Sequence, residues 1–263
     1  MPERWGIDEE FESRPVGPPA DVRPGEDLDD DKRESAMAYW RTLTAEARRC
    51  CTLEAGEPTD DDVRATKMGG TPLWSRAELG DWPLCQECGD EMRLRYQLRK
   101  ADVRGLICRP DTDMLQLFWC INDDCGEEEA CFFHRWLAES SVVDPIDPVE
   151  EGLSVPEPAR PLVVTERVDY ANVSEHSDNH QWVSSGVSDL VVAGHEDEEF
   201  LDAWDKFHAS GEKVGGFVSW VQWGWKCCEQ PLHPIVQTGW AEGYQYLLAC
   251  GDCGKYFSEY QGT

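Results

Sequence analysis

The sequence predicts an α+β protein that is mainly antiparallel β, made of two internally duplicated β-rich halves with a few peripheral helices. Three observations lead there. From Thr66 onward the composition turns to glycine, tryptophan, cysteine and short apolar runs, which suit strands and tight turns. An eight-residue pattern occurs twice without a gap. The features downstream of it then repeat in the same order.

Taken in chain order, residues 1–65 form an acidic N-terminal region expected to be partly disordered. Pro15, Pro18, Pro19, Pro24 and the run Asp27, Asp29, Asp30, Asp31 leave it few large apolar groups to offset ordering entropy. Within it, Met37, Trp40, Leu43 and Ala47 recur at helical intervals, predicting one docked amphipathic helix over Glu34 to Cys51. Residues 66–140 are the first β-rich repeat. Residues 141–161 read as a linker, because prolines from Pro145 to Pro161 deny it a central sheet position. Residues 162–263 hold a strand at Leu162–Thr165, a helix over Asp197 to His208 with Phe200, Leu201, Trp204 and Phe207 on one face, and the second repeat.

The repeat begins with Lys67-Met68-Gly69-Gly70-Thr71-Pro72-Leu73-Trp74 and Lys213-Val214-Gly215-Gly216-Phe217-Val218-Ser219-Trp220, sharing K-x-G-G-x-x-x-W. A cysteine pair follows each, Cys85/Cys88 and the compressed Cys227/Cys228. Next come apolar segments that end in glutamine, Met92 to Gln97 and Leu232 to Gln237. A later strand runs into a second pair, Leu115–Trp119 before Cys120 and Cys125, Tyr246–Ala249 before Cys250 and Cys253. The Gly-Gly pairs match neither a P-loop nor a dinucleotide fingerprint and are read as backbone turns. Lys67 and Lys213 are read as solvated or carboxylate-paired, and Trp74 and Trp220 as core anchors.

Short-spaced cysteine pairs in a reducing compartment favour metal thiolates over disulfides. Two tetrahedral sets result: Cys85, Cys88, Cys120, Cys125, and Cys227, Cys228, Cys250, Cys253. Zinc is the expected ion, one or two per chain, in a structural role, because four thiolates leave no open position. Gly89, Gly126 and Gly254 follow three of the pairs, where positive φ lets the chain fold around a bound sulfur. Neighbours on an extended strand start in opposite directions, so Cys227 and Cys228 both reach a metal only if the backbone turns between them. His233 is the alternative ligand. Cys50, Cys51, Cys108 and Cys131 have no matching spacing and read as small core or surface groups.

With 24 basic against 53 acidic residues in 263, the net charge is −29, which argues against direct contact with nucleic acid phosphates or anionic membranes. Basic proteins or cations are the partners such a field attracts. Twelve tryptophans and 40% apolar residues still supply a core. No apolar run reaches membrane-spanning length, and Met1-Pro2-Glu3-Arg4-Trp5 lacks a leader pattern, so a soluble cytoplasmic protein is expected. Cys131 and His134 lack a third group to complete a catalytic set. No enzyme is predicted.

These residues resemble the programmed cell death protein 2 family and its bacterial YwqG-like relatives, in which K-x-G-G-x-P-x-W leads into P-x-C-x-x-C-G and a strand ending in glutamine. The chain looks like a bacterial-type member. The corresponding text is Lys67 to Trp74, Pro83 to Gly89 and Met92 to Gln97, and the likeness covers Thr66 to Ala138 better than Lys213 to Gln261. Val218 stands where that pattern has proline, and the zinc-finger insertion of some eukaryotic relatives is not apparent. The resemblance implies a duplicated β protein and, by analogy with eukaryotic members, a chaperone-like binder that shields a basic client. The expectation is a non-catalytic protein- or peptide-binding module. Its alternatives are a thiol-based redox enzyme, with Cys227-Cys228 as a vicinal pair, and an immunity protein against a secreted toxin.

Overall fold

The computed structural model describes residues 47–122, 125, 132–146, 157–170, 209, 211–218, 226–240 and 243–262. They form eleven strands: β1 (Arg48–Ala55), β2 (Lys67–Met68), β3 (Arg93–Arg99), β4 (Met114–Trp119), β5 (Phe132–Leu137), β6 (Arg160–Asp169), β7 (Lys213–Gly215), β8 (Lys226–Cys227), β9 (Gln230–Trp240), β10 (Gly243–Cys250) and β11 (Tyr256–Gly262). Ten of them make one antiparallel sheet in the order β11-β10-β9-β7-β1-β6-β2-β3-β4-β5, and β8 adds a short hairpin arm to β9. The helical content among these residues is two short 3-10 segments, Arg76–Asp81 and Glu139–Ser141. The mainly antiparallel β expectation therefore holds.

The centre of the sheet is the ladder of β1 with β6, from Arg48↔Asp169 to Ala55↔Leu162. This corrects the expected helix over Glu34 to Cys51: residues 48–51 open a strand, while most of the remainder lies outside the described residues. Cys50, Cys51, Thr52 and Leu53 are buried in succession, the pattern of a strand covered on both faces, whereas the helical spacing of Met37 to Ala47 stops before it. Folded structure thus starts ahead of Thr66. The helix expected over Asp197 to His208 lies outside the described residues.

The expected linker also joins the body. Ile146 N–H donates to Trp74 O at 2.9 Å, Ser75 bridges Pro145, and β6 starts at Arg160. Pro161 pairs with Lys67 of β2, a strand of two residues.

On either side of the β1–β6 centre lies a wing, β2-β3-β4-β5 on one and β7-β9-β10-β11 on the other. The main core joins them: Cys51 and Leu53 from the centre, Tyr96, Leu98 and Leu115 from the first wing, and Val214, Ile235, Val236 and Leu247 from the second. Corresponding residues do corresponding things. Lys67 stands opposite Gln97 and Lys213 opposite Gln237. The Gln97 amide donates to Ala65 O and the Gln237 amide to Gly211 O, both at 2.8 Å. A register shift leaves Arg95 as the extra residue of β3 against β4, and another leaves Ile235 as the extra residue of β9 against β10. The second bulge is next to Pro234, which has no N–H to give the ladder.

Both Gly-Gly pairs have positive φ, 66° and 70° at Gly69 and Gly70, 71° and 75° at Gly215 and Gly216. A side chain on Gly70 would collide with the Asp61 carboxylate, and one on Gly216 with that of Asp169. Those carboxylates receive the lysines. Lys67 Nζ pairs with Asp61 and also donates to Thr71 O at 2.6 Å, while Lys213 Nζ meets Asp169 Oδ2 at 2.8 Å with both side chains fully buried. Asp61 accepts the Thr71 N–H and Asp169 the Phe217 N–H, at matching places after the glycines. Both lysines are carboxylate-paired as the sequence suggested, and their burial is what demands the partner.

Candidate metal centres

The first centre collects two loops at one end of the first wing. Residues 85–90 fold into a knuckle: Cys85 N–H donates to Asp90 O at 2.8 Å and Gly89 N–H to Cys85 O at 2.9 Å, with Gly89 at φ 78°. The second loop leaves β4 at Cys120 and returns a sulfur through Cys125. Sulfur separations are 3.7 Å for Cys85–Cys125, 3.6 Å for Cys88–Cys120 and 3.6 Å for Cys120–Cys125. Backbone N–H groups of Asp90 and Asn122 point at the sulfurs of Cys88 and Cys120, each at 3.4 Å, which stabilises negative sulfur. Beneath lie Trp74, Met92, Leu94 and Phe118, with Trp82 packed on Trp74 at 5.1 Å between ring centroids.

The second centre uses the same knuckle in another place. Cys250 N–H donates to Lys255 O at 2.7 Å and Gly254 N–H to Cys250 O at 3.0 Å, with Gly254 at φ 70°, so residues 250–255 repeat the turn of 85–90. Here the turn joins β10 to β11. The other two sulfurs come from the β8–β9 hairpin, whose two central residues, Cys228 and Glu229, have φ of 53° and 61°. Positive φ at both positions is the I′ geometry that matches strand twist. It supplies the turn that adjacent cysteines need: Cys227 and Cys228 sulfurs are 3.8 Å apart, and Cys227 and Cys253 sulfurs 3.5 Å.

In each group the four sulfurs lie within 4.8 Å of one another. Four thiolates around one ion at about 2.3 Å would sit about 3.8 Å apart, so the donor sets fit a tetrahedral metal. All eight sequence-predicted residues are brought together, and the second group closes without His233. Gly126 and Cys131 lie outside the described residues.

The thiols' acidities are set by these surroundings. Burial works to raise Cys85, but N–H donation from Cys88 and Glu87 and the thiols of Cys125 and Cys120 bring it down to about 7. The Lys255 N–H brings Cys253 down to about 7. Burial pushes Cys120 up to about 11, and the Cys253 thiol pushes Cys227 up to about 12. One thiolate per group therefore forms readily and opposes the next. A divalent cation removes that opposition. Cys50, Cys51 and Cys108 are instead pushed up to about 12, mainly by burial, and are inert core thiols.

Fold and site together define a mainly antiparallel β protein with two four-cysteine groups placed to hold metal. No protein-family model matches the chain, and no curated protein matches it either. No helix among the described residues is long and apolar enough to cross a membrane.

Proposed function

We propose that this protein is a non-catalytic module that binds an extended, basic protein or peptide, on a scaffold that arose by tandem duplication and is clamped by structural zinc. The observation that carries the reading is the pair of four-sulfur groups. Four thiolates suit zinc and leave it no open position for a substrate, which supports a clamp over hydrolysis. Duplication is supported by the paired bulges at Arg95 and Ile235, the matched Lys–Gln and Lys–Asp contacts, and the Gly-Gly turns. The same features suit the likeness to the programmed cell death protein 2 and YwqG-like proteins, which we retain as a proposal together with a cytoplasmic, chaperone-like role. The charge of −29 gives the preference for a basic client its physical basis, by steering association and competing with RNA for the same segment.

Metal analysis of freshly purified protein, joined to calorimetry with a lysine- and arginine-rich polypeptide, tests the proposal. Two zinc ions per chain, protected thiols and binding that weakens as salt rises are expected. Metal-free protein with fast-reacting thiols would favour a redox enzyme instead, and zinc without affinity for basic polypeptides would refute the client.

A further inference from the structure

The eight sulfurs share one chemistry but not one environment. Each group has a single exposed member, Cys88 in the first and Cys228 in the second. The Cys88 sulfur accepts the Asp90 N–H at 3.4 Å, and its partners Cys85 and Cys120 are buried with Trp74, Met92 and Phe118. A thiolate that accepts a backbone N–H gives up part of its electron density and becomes a weaker nucleophile. Cys228 is not tempered in this way. Among the described residues no N–H donates to its sulfur, whose neighbours are the other thiols of the group, Cys227 at 3.8 Å and Cys250 and Cys253 within 4.8 Å. It also sits at the tip of a hairpin whose first strand, β8, is two residues long and pairs with β9.

A solvent-facing thiolate with a second thiolate in reach is what reversible oxidation requires. Metal binding strips the thiol proton, so the nucleophile is present at neutral pH. Hydrogen peroxide is uncharged, and the net charge of −29 does not repel it.

We infer that Cys228 is an oxidation site, at which hydrogen peroxide converts the second four-sulfur group to a Cys228–Cys253 disulfide while the first group stays intact. The Cys228 thiolate attacks one peroxide oxygen, the O–O bond breaks, and the departing hydroxide takes a solvent proton to become water. The resulting sulfenic acid is attacked by the Cys253 thiolate. An S–S bond forms, the S–O bond breaks, and a second hydroxide leaves as water. Two sulfurs thus give up one electron each, and one peroxide is reduced to two waters. Cys253 is the resolving sulfur by elimination. Cys250 is buried, and the Cα atoms of adjacent Cys227 and Cys228 lie about 3.8 Å apart, closer than the about 4.4–6.8 Å that a disulfide ordinarily spans. Cys227 and Cys250 alone cannot hold a divalent ion, but the disulfide keeps the hairpin tied to the 250–255 turn, so reduction restores the donor set. This rests on the structural-zinc reading above and adds to it an oxidised state of one clamp.

The zinc-loaded full chain treated with hydrogen peroxide tests the inference, with released zinc read by a chromogenic chelator against a peroxide-free control. Mass spectrometry of alkylated, non-reduced peptides maps each sulfur. One ion should leave about ten-fold faster than the other, in step with a Cys228–Cys253 disulfide, and a dithiol reductant with added zinc should restore both ions. A chain that carries no zinc before peroxide is added would sink the zinc reading itself. Two zinc ions lost at equal rates, Cys88 oxidised ahead of Cys228, or both ions retained with Cys228 still reduced would overturn the oxidation site and leave the clamps standing. A Cys227–Cys228 disulfide would overturn the resolving role of Cys253, and sulfinic acid at Cys228 in place of a disulfide would overturn reversibility.

Discussion

The two cysteine groups have the same four-sulfur inventory but are built differently. In the first, the knuckle precedes its wing's first long strand and the far sulfurs hang from a loop; Cys85 and Cys120 are buried against Trp74 and Phe118. In the second, the knuckle joins the last two strands, and the partner sulfurs come from a tight hairpin with Cys228 exposed and Cys227 half-buried. The tryptophan-backed centre doubles as a hydrophobic core for its end of the wing. The hairpin centre has a smaller floor of Val218, Leu232, Tyr246 and Leu248, and two non-glycine residues in left-handed conformation. What a metal contributes to each should differ accordingly: the first centre ties the 85–90 knuckle to Cys120 and Cys125 beyond β4, while the second holds a turn whose strain it offsets.

The largest effect should come from breaking the first centre. Cys120→Ser should remove one metal per chain and the cooperative unfolding of β3 to β5, since structural zinc contributes on the order of 10 kcal/mol in small domains. Cys228→Ser also leaves three sulfurs, but it removes an exposed ligand on a short hairpin instead of a buried one packed on Phe118, so the wing should stay folded and lose its metal to a chelator sooner. Metal stoichiometry and thermal unfolding of the two variants measure the contrast, and equal losses would erase it.

Next in size are the lysine–carboxylate pairs, which sharpen the comparison of the wings. Lys213→Met strands the fully buried Asp169 and should cost about 3–5 kcal/mol by denaturant unfolding. Lys67→Met should cost less, because Asp61 retains 29% of its exposure and water can solvate it. Adding Asp169→Leu to Lys213→Met should recover only part of the loss, because Asp169 also accepts N–H groups of Ala209 and Phe217.

A smaller effect appears with pH where β5 meets β11, His134 lying edge-on to Tyr256 at 4.9 Å. Burial, aided by the Arg109 charge, holds His134 down at about 4, so as pH falls below the ordinary histidine value near 6.5 the unfolded chain takes up a proton before the folded one. Its contribution is complete above that value and is lost as pH falls toward 4. His134→Gln should flatten that part of the stability profile, measured as a difference so that cysteine protonation common to both proteins cancels. The smallest change is Glu229→Gly, which relieves a left-handed residue of the β8–β9 turn and should raise the melting temperature by a few degrees.

Much of this was legible in the chain itself where the signal is local. The strands around Leu94, Leu115, Val236 and Leu248 follow from short apolar runs between turn residues, and all eight sulfurs follow from spacing. Local signals also set the limits. The helical spacing that ends at Ala47 carries the expected helix on into Cys50 and Cys51, whereas they lie in a strand, because the centre of a covered sheet buries consecutive residues and its identity comes from β6 and β7, both far along the chain. Lys67 and Lys213 announce themselves through the repeat, but their carboxylates do not: Asp61 lies six residues before its lysine and Asp169 forty-four before its own. The Cys227-Cys228 turn is visible only in backbone angles, since neither Cys nor Glu is a usual residue for positive φ. The meeting of β5 with β11 is likewise a product of sheet closure, which no stretch of sequence encodes alone.

Native mass spectrometry before and after thiol labelling tests the central claim most directly, because it counts ions and protected sulfurs in the same molecules. The account predicts two zinc ions on the intact chain, with the eight sulfurs of the two groups shielded until a chelator is added and the second group yielding first. A chain that carries no metal and whose eight sulfurs are labelled at once would contradict it.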